Sequence, residues 1–590
     1  MHLKFKVKEE YFLILFFAMA LFFNLNLSKL PLSYPGNIKA ADPFYHTISV
    51  ESILETKQWN YYNYYLSLGT EKVINHQPPL IYTASAMLSE FSGLPAWVTL
   101  YFLICISQAL FIVAVYLIAL EAFGSKKIGL IAAGLCIMPM PVRFWLYGVY
   151  IGFWLQVPSY FLIMALVWLT IKYIKNQKDY LLLTMGFSIA AIFLLHIADL
   201  MIVFFEMLYV GIILLVDFFR KKDIASFVKK ALLIGLFPLI ALITVLPRIL
   251  YVWSGLGTSM FTPGFYGFFR DAFPKEQYGG MVWPHFSFFP MAVIILFIIG
   301  MSILLFISLF YILSIFNKKI GMPGVRIEKG RLVFSIKKNE NHFSYFIIFL
   351  VVAFYFASVY LSPAFFSDPY YLGGRARSLQ PFFVFPVIAF VLWLGITMIE
   401  MFAMSDKNNS TLFQIFLVLA IVASSIIFSL GEYNQLADGL KGEHITETKW
   451  NAYKWIHENT KKDAKVLFFD GVFQGENVYV KRISAVMSLD NLNKFLMEYQ
   501  ETNKTPEVVT TAGWGGNTIR EGGWKYEKSF FSYGDYYELN STQRIDYFDY
   551  IIFENFAQEA VQINAYFASE LVKKGWKPVY NDGFSIIIQK

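Results

Sequence analysis

Four short segments carry the residue types that could do chemistry. Asp42-Pro43-Phe44-Tyr45-His46 places a carboxylate and an imidazole just beyond the first apolar run. His76-Gln77-Pro78-Pro79-Leu80 adds a second imidazole ahead of another apolar stretch. His196-Ile197-Ala198-Asp199 ends an apolar run, and the i, i+3 spacing predicts that His196 and Asp199 share one helix face. Asp368-Pro369-Tyr370-Tyr371-Leu372-Gly373-Gly374-Arg375-Ala376-Arg377 carries two guanidinium groups, whose fixed donors suit phosphate oxygens. Such carboxylates and imidazoles could hold a divalent ion, Mg or Mn, or act as a base, and the arginines could hold a phosphate leaving group. Each also has a structural reading. Asp42 before Pro43 can open a helix, the paired prolines can make a rigid turn, and Arg375 or Arg377 can bridge to Asp368 or a lipid headgroup. The chain contains no phosphate-cradling glycine loop, HExxH helix or nucleophile elbow.

The elements that must position these residues are membrane helices. Of 590 residues, 57% are hydrophobic and only 15% charged, against about a quarter charged in an ordinary soluble domain. Apolar runs near 11–27, 96–120, 128–142, 157–174, 180–200, 201–217, 231–250, 290–314, 343–361, 381–403 and 411–431 predict about eleven transmembrane helices. Alternation assigns 121–127, 172–179, 218–230, 315–342 and 404–410 to the inner side; the first four are basic, and 404–410 carries Lys407 beside Asp406. Topology therefore accounts for the net charge of +7, and no nucleic-acid partner is expected. The expected fold class is an α-helical polytopic membrane protein with an extracytoplasmic C-terminal α/β domain. Residues 1–431 form the membrane domain, with an outer loop at 30–95 holding Asp42, and 432–590 form the soluble domain. The N-terminus is then cytoplasmic. Cys105 and Cys136 lie in apolar runs, which argues against a disulfide framework or a cysteine zinc site.

This arrangement resembles the C-type (GT-C) superfamily of polyprenyl-phosphate-dependent glycosyltransferases, among them the archaeal oligosaccharyltransferase catalytic subunit and the protein mannosyltransferases. Asp42-Pro43-Phe44-Tyr45-His46 is similar to the Asp-Pro-aromatic-aromatic-His/Asn motif of the family's first outer loop, whose Asp binds metal or acceptor. Pro78-Pro79-Leu80 resembles a stretch shared with protein mannosyltransferases and lipid A aminoarabinose transferases. Arg375 or Arg377 before Pro381 resembles the arginine that contacts the lipid phosphate, and Asp470 falls where the acceptor motif keeps its aspartate. Trp455-Ile456-His457-Glu458-Asn459-Thr460 is similar to the start of the archaeal soluble domain. The second outer loop, Arg143 to Gln156, lacks the family's Asp-x-Glu pair, and the loop signature Ser-Val-Ser-Glu is absent from 248–289. The resemblance implies transfer of a sugar from a polyprenyl, or dolichyl, phosphate carrier to a protein or lipid-glycan acceptor outside the membrane, with membrane lipid as surroundings. Asp42, His46 and His76 would be catalytic. Arg375, Arg377 and Asp470 would bind substrate, and Asp42, His196 and Asp199 would hold the metal. An asparagine-glycosylating oligosaccharyltransferase and a non-catalytic polyprenyl-lipid binder are the alternatives.

Overall fold

The structure is a computed structural model that describes residues 9–38, 41–59, 78–139, 142–152, 154–196, 199–256, 290–316, 323–328, 331–336, 345–353, 355, 379–403, 407–439, 445–469, 479–487, 507–509, 511–512, 542–544, 548–555 and 558–590. Helix α1 (Glu9–Ser28) is followed by two helices in the expected outer loop, α2 (Ala41–Thr56) and α3 (Leu80–Ser92). Then come α4 (Ala96–Phe123), α5 (Lys126–Leu135), α6 (Val142–Ile151), α7 (Gln156–Asn176), α8 (Asp179–Leu195), α9 (Leu200–Lys221), α10 (Ile224–Leu256), α11 (Met291–Phe316), α12 (Gln380–Ala403) and α13 (Lys407–Gly439). Residues 345–353 are also helical. Among the described residues, seven helices are long and apolar enough to cross a membrane: α1, α4, α7, α10, α11, α12 and α13. The chain is a multi-pass membrane protein.

Local chemistry sets the turns. Gly124, with φ 65°, closes α4 in the left-handed conformation that only glycine adopts freely, and Ser125 then caps α5 by accepting from the Ile128 amide. The expected span at 128–142 is interrupted. Pro139 and Pro141 follow α5 and cannot continue a helix, so α5 stops after 10 residues. At 1.5 Å per residue it covers roughly half a bilayer core. Helix α6 restarts with its first amide, Val142 N–H, donating to Glu432 Oε2 of α13 at 2.9 Å. Gly186 lets α8 approach α10 closely: a β-carbon there would lie 2.9 Å from the Ile234 carbonyl oxygen.

Between α11 and α12, β1 (Pro323–Glu328) and β2 (Arg331–Ile336) form an antiparallel hairpin. The C-terminal part begins with α14 (Glu447–Asn459) and holds β3 (Lys465–Phe469), β4 (Ile483–Met487), β5 (Glu507–Val509), β6 (Thr511–Ala512), β7 (Thr542–Arg544), β8 (Tyr550–Glu554), α15 (Gln558–Lys573), β9 (Lys577–Asn581) and β10 (Ser585–Gln589). Six strands make one sheet in the order β6-β4-β3-β8-β10-β9, with β3 parallel to β4 and β8 and the remaining pairs antiparallel. The alternation of side chains along β3 explains its two covers. Val466 and Phe468 pack with Ala452, Tyr453 and Ile456 of α14, while Leu467 and Phe469 pack with Phe567 and Leu571 of α15. The first of these clusters also takes in Phe44 and Ile48 of α2, so the C-terminal part packs against that helix.

Candidate active site

Helix α2 supplies the first group. It starts at Ala41, so Asp42 and Pro43 occupy its first turn, and His46 follows one turn later. Of Asp42 only the backbone is described. His46 is 3% exposed. Its Nδ1 lies 2.6 Å from Tyr82 Oη on α3, and its ring stacks on Trp154 with centroids 6.3 Å apart. Trp154 in turn meets the ring of Tyr101, whose hydroxyl donates to the Asn24 carbonyl of α1 at 2.8 Å. Four elements therefore fix one imidazole.

Two residues beyond Trp154, Gln156 opens α7 and reaches the second group: its Nε2 donates to Asp199 Oδ1 at 3.5 Å. Asp199 Oδ1 also lies 3.1 Å from His196 Nδ1. The two residues are close, but not on one helix face as their spacing predicts. His196 ends α8 in an extended conformation (φ −154°, ψ 104°) and Asp199 stands at the cap of α9, because the chain must reverse between two packed helices. Asp199 is 1% exposed, and its Oδ2 has no hydrogen-bond partner among the described residues. An orphaned buried carboxylate oxygen is costly and marks a site that expects a cation or a donor.

A carboxylate and an imidazole in contact are a donor set that fits Mn or Zn better than Mg, which prefers oxygen alone. Among the described residues no group of three His, Cys, Asp or Glu is gathered for a metal. Asp42 would have to supply the third donor. Beside Gln156, a cavity of ≈ 10 Å³ is lined by Gln108, Trp145 and Tyr160 among others. It has room for about one water, and Trp145 Nε1 and Gln156 Oε1 lack partners among the described residues.

Of the residues expected from sequence, the segment from Trp154 to Gln156 touches both His46 and Asp199. His76, Arg375, Arg377 and Asp470 lie outside the described residues. Tyr82, Trp154 and Gln156 were not singled out from sequence. The signal for Gln156 was available: an uncompensated amide in an apolar run of the very loop that lacks acidic residues.

No family model and no curated protein matches the sequence. Solved structures do. The arabinofuranosyltransferase AftD from Mycobacteria matches with a TM-score of 0.52 at 11% identity, over 99% of this chain and 40% of that one. ArnT from Cupriavidus metallidurans in the apo state matches with a TM-score of 0.50 at 11% identity, over 98% of both chains. This is the GT-C fold. The Archaeoglobus fulgidus oligosaccharyltransferase in complex with Zn and sulfate aligns with a TM-score of 0.43 at 13% identity, over 80% of this chain. The chain spans 62% of that protein's length.

Proposed function

We propose that the chain is a membrane glycosyltransferase that moves a sugar from a polyprenyl-phosphate carrier, dolichyl phosphate by resemblance, to an acceptor outside the cytoplasm. The observation that carries this reading is the buried imidazole of His46, held by Tyr82 and Trp154 on an outer-loop helix of a GT-C fold. A buried, hydrogen-bonded imidazole one turn after Asp42 stands where the resemblance puts the reacting groups. The basic inner segments support a cytoplasmic N-terminus and an extracytoplasmic C-terminal domain, residues 432–590 beside a membrane domain of 1–431.

In the reaction an acceptor oxygen or nitrogen attacks the anomeric carbon. The bond from that carbon to the phosphate oxygen breaks, and the phosphate leaves with the electron pair. Asp42 takes the acceptor proton, and His46 and His76 are the further catalytic groups that the resemblance implies. Arg375 and Arg377 meet the charge that grows on the leaving oxygen, where electrostatic stabilisation counts most. Asp470 contributes to acceptor binding. A divalent ion held by Asp42, His196 and Asp199 would supply Lewis acidity beside the acceptor.

The experiment is to extract lipid-linked sugars from cells lacking the protein and to replace it with Asp42→Asn. Accumulation of one polyprenyl-linked sugar, relieved by the native chain but not by the folded variant, is the expected result. A variant with full activity removes Asp42 from the mechanism. Lipid binding without turnover at any divalent metal supplied makes the protein a binder instead, and transfer to a sequon peptide makes it an oligosaccharyltransferase.

A further inference from the structure

Where α2 meets the C-terminal domain, one lysine grips two carboxylates. Lys481 Nζ lies 2.7 Å from Glu51 Oε2 and 2.7 Å from Glu55 Oε1. Glu51 and Glu55 are four residues apart on α2, so they point the same way and a single ammonium can reach both. The lysine is only 17% exposed and Glu51 10%, unlike the exposed Lys454–Glu458 pair nearby at 58% and 55%. Burial pushes the Glu51 carboxyl up even beside the ammonium. Lys481 is raised despite its own burial, because both carboxylates favour its charge.

The lysine is also aimed. Its backbone is left-handed, with φ 51°, a conformation side-chain-bearing residues seldom adopt without support. The support is Arg482, 4% exposed. It donates from Nη1 to the Lys481 carbonyl and from Nη2 to the Thr460 carbonyl, both at 2.8 Å, from Nη2 to the His457 carbonyl, and from Nε to Thr460 Oγ1 at 2.8 Å. One guanidinium thus ties the end of α14 to the turn that presents Lys481. Next to it, Tyr479 meets Phe44 edge to face with centroids 5.6 Å apart.

We propose that Lys481 is a positioning residue that sets the roll and tilt of α2, and so the placement of Asp42 and His46, from the C-terminal domain. The catalytic readout of this inference rests on the glycosyltransferase reading; the grip itself does not. Glu51 stands nine residues beyond Asp42, roughly 13 Å along a helix. A grip on two carboxylates of one helix face stops that helix rolling. Reacting groups displaced by about 1 Å lose on the order of a hundredfold in rate.

The test uses the full chain in lipid nanodiscs, with a polyprenyl-phosphate sugar as donor, and compares Lys481→Met, Lys481→Arg, the exchange pair Lys481→Glu with Glu51→Lys, and Lys454→Met as control. Lys481→Met is expected to lower kcat about tenfold or more with donor KM changed less than about threefold. Lys481→Arg and the exchange pair should each recover part of the rate. Backbone deuterium exchange of residues 41–56 should rise in Lys481→Met and not in Lys454→Met. Unchanged exchange, or an unchanged kcat in an active preparation, overturns the proposal. Should the native chain turn over no donor, the glycosyltransferase reading fails while the exchange measurement still decides whether Lys481 holds α2.

Discussion

His46 Nδ1 and Tyr82 Oη lie 2.6 Å apart across the interface between α2 and α3, joining residues 36 apart in sequence inside a fully buried pocket. The phenol engages one ring nitrogen of His46 and holds the imidazole plane between α2 and α3. Tyr82→Phe removes this hydrogen bond from a buried imidazole, a loss of about 1–3 kcal/mol. The expected outcome is a fall in sugar transfer of about tenfold or more in a protein that still inserts and folds. Transfer rates together with the elution profile of the purified variant check it.

Asp199, buried beside His196 and with no partner for its Oδ2 among the described residues, is the carboxylate proposed to hold a cation. Chelation should stop transfer and added Mn should restore it. Asp199→Asn should weaken Mn binding by about tenfold or more. Titration calorimetry with Mn alone reads this without turnover, and equal affinity in the two proteins would exclude Asp199 as a ligand.

In the C-terminal domain Glu554 is wholly buried, its Oε2 3.1 Å from Lys449 Nζ and its Oε1 accepting from the Tyr453 hydroxyl at 2.8 Å. Burial pushes its carboxyl up, against the pull of Lys449. Lys449→Met strands that carboxylate and should cost about 3–5 kcal/mol. Adding Glu554→Gln should recover most of the loss, because the amide keeps the Tyr453 contact without a charge. Thermal unfolding of the two variants makes the comparison.

His457 supplies a pH dependence. Burial first, then the positive charges of Lys481 and Arg482, lower its pKa below the usual 6.5, and its Nδ1 lies 3.3 Å from Arg482 Nη1. The unfolded chain therefore takes the proton first as pH falls. The stability tied to neutral His457 is present above the unfolded value of 6.5 and is lost as pH drops through the folded value. Between about pH 7 and pH 5 the unfolding temperature of the C-terminal domain should fall, and His457→Gln should flatten that slope.

Much of this architecture was legible in the chain. Apolar runs separated by short polar segments predicted about eleven spans, and seven of those runs are helices long and apolar enough to cross a membrane among the described residues. Of α2 only the opening at Asp42-Pro43 was legible, because the helix is buried on two sides by different partners and so shows no single apolar stripe. The break at Pro139 and Pro141 was written in the residues, but a hydropathy window averages across it. For the candidate site, residue types found His46, His196 and Asp199. What orients them, Tyr82, Trp154 and Gln156, consists of ordinary core residues until the fold gives them a neighbour. Lys481 was invisible for the same reason: only a left-handed turn makes it more than one lysine among many.

The capping of α6 by Glu432 has a consequence for biosynthesis. The Val142 amide waits for a carboxylate 290 residues later, and the Met138 carbonyl waits 291 residues for the Ser429 hydroxyl. At 5–20 residues per second the ribosome needs roughly 15 to 60 s to supply them. Over that interval the half-span left by α5 holds uncapped backbone in or beside lipid, where it is open to recognition by insertion chaperones and membrane proteases. A nascent chain that stalls before α13 would never seal this gap, which distinguishes it from a finished one.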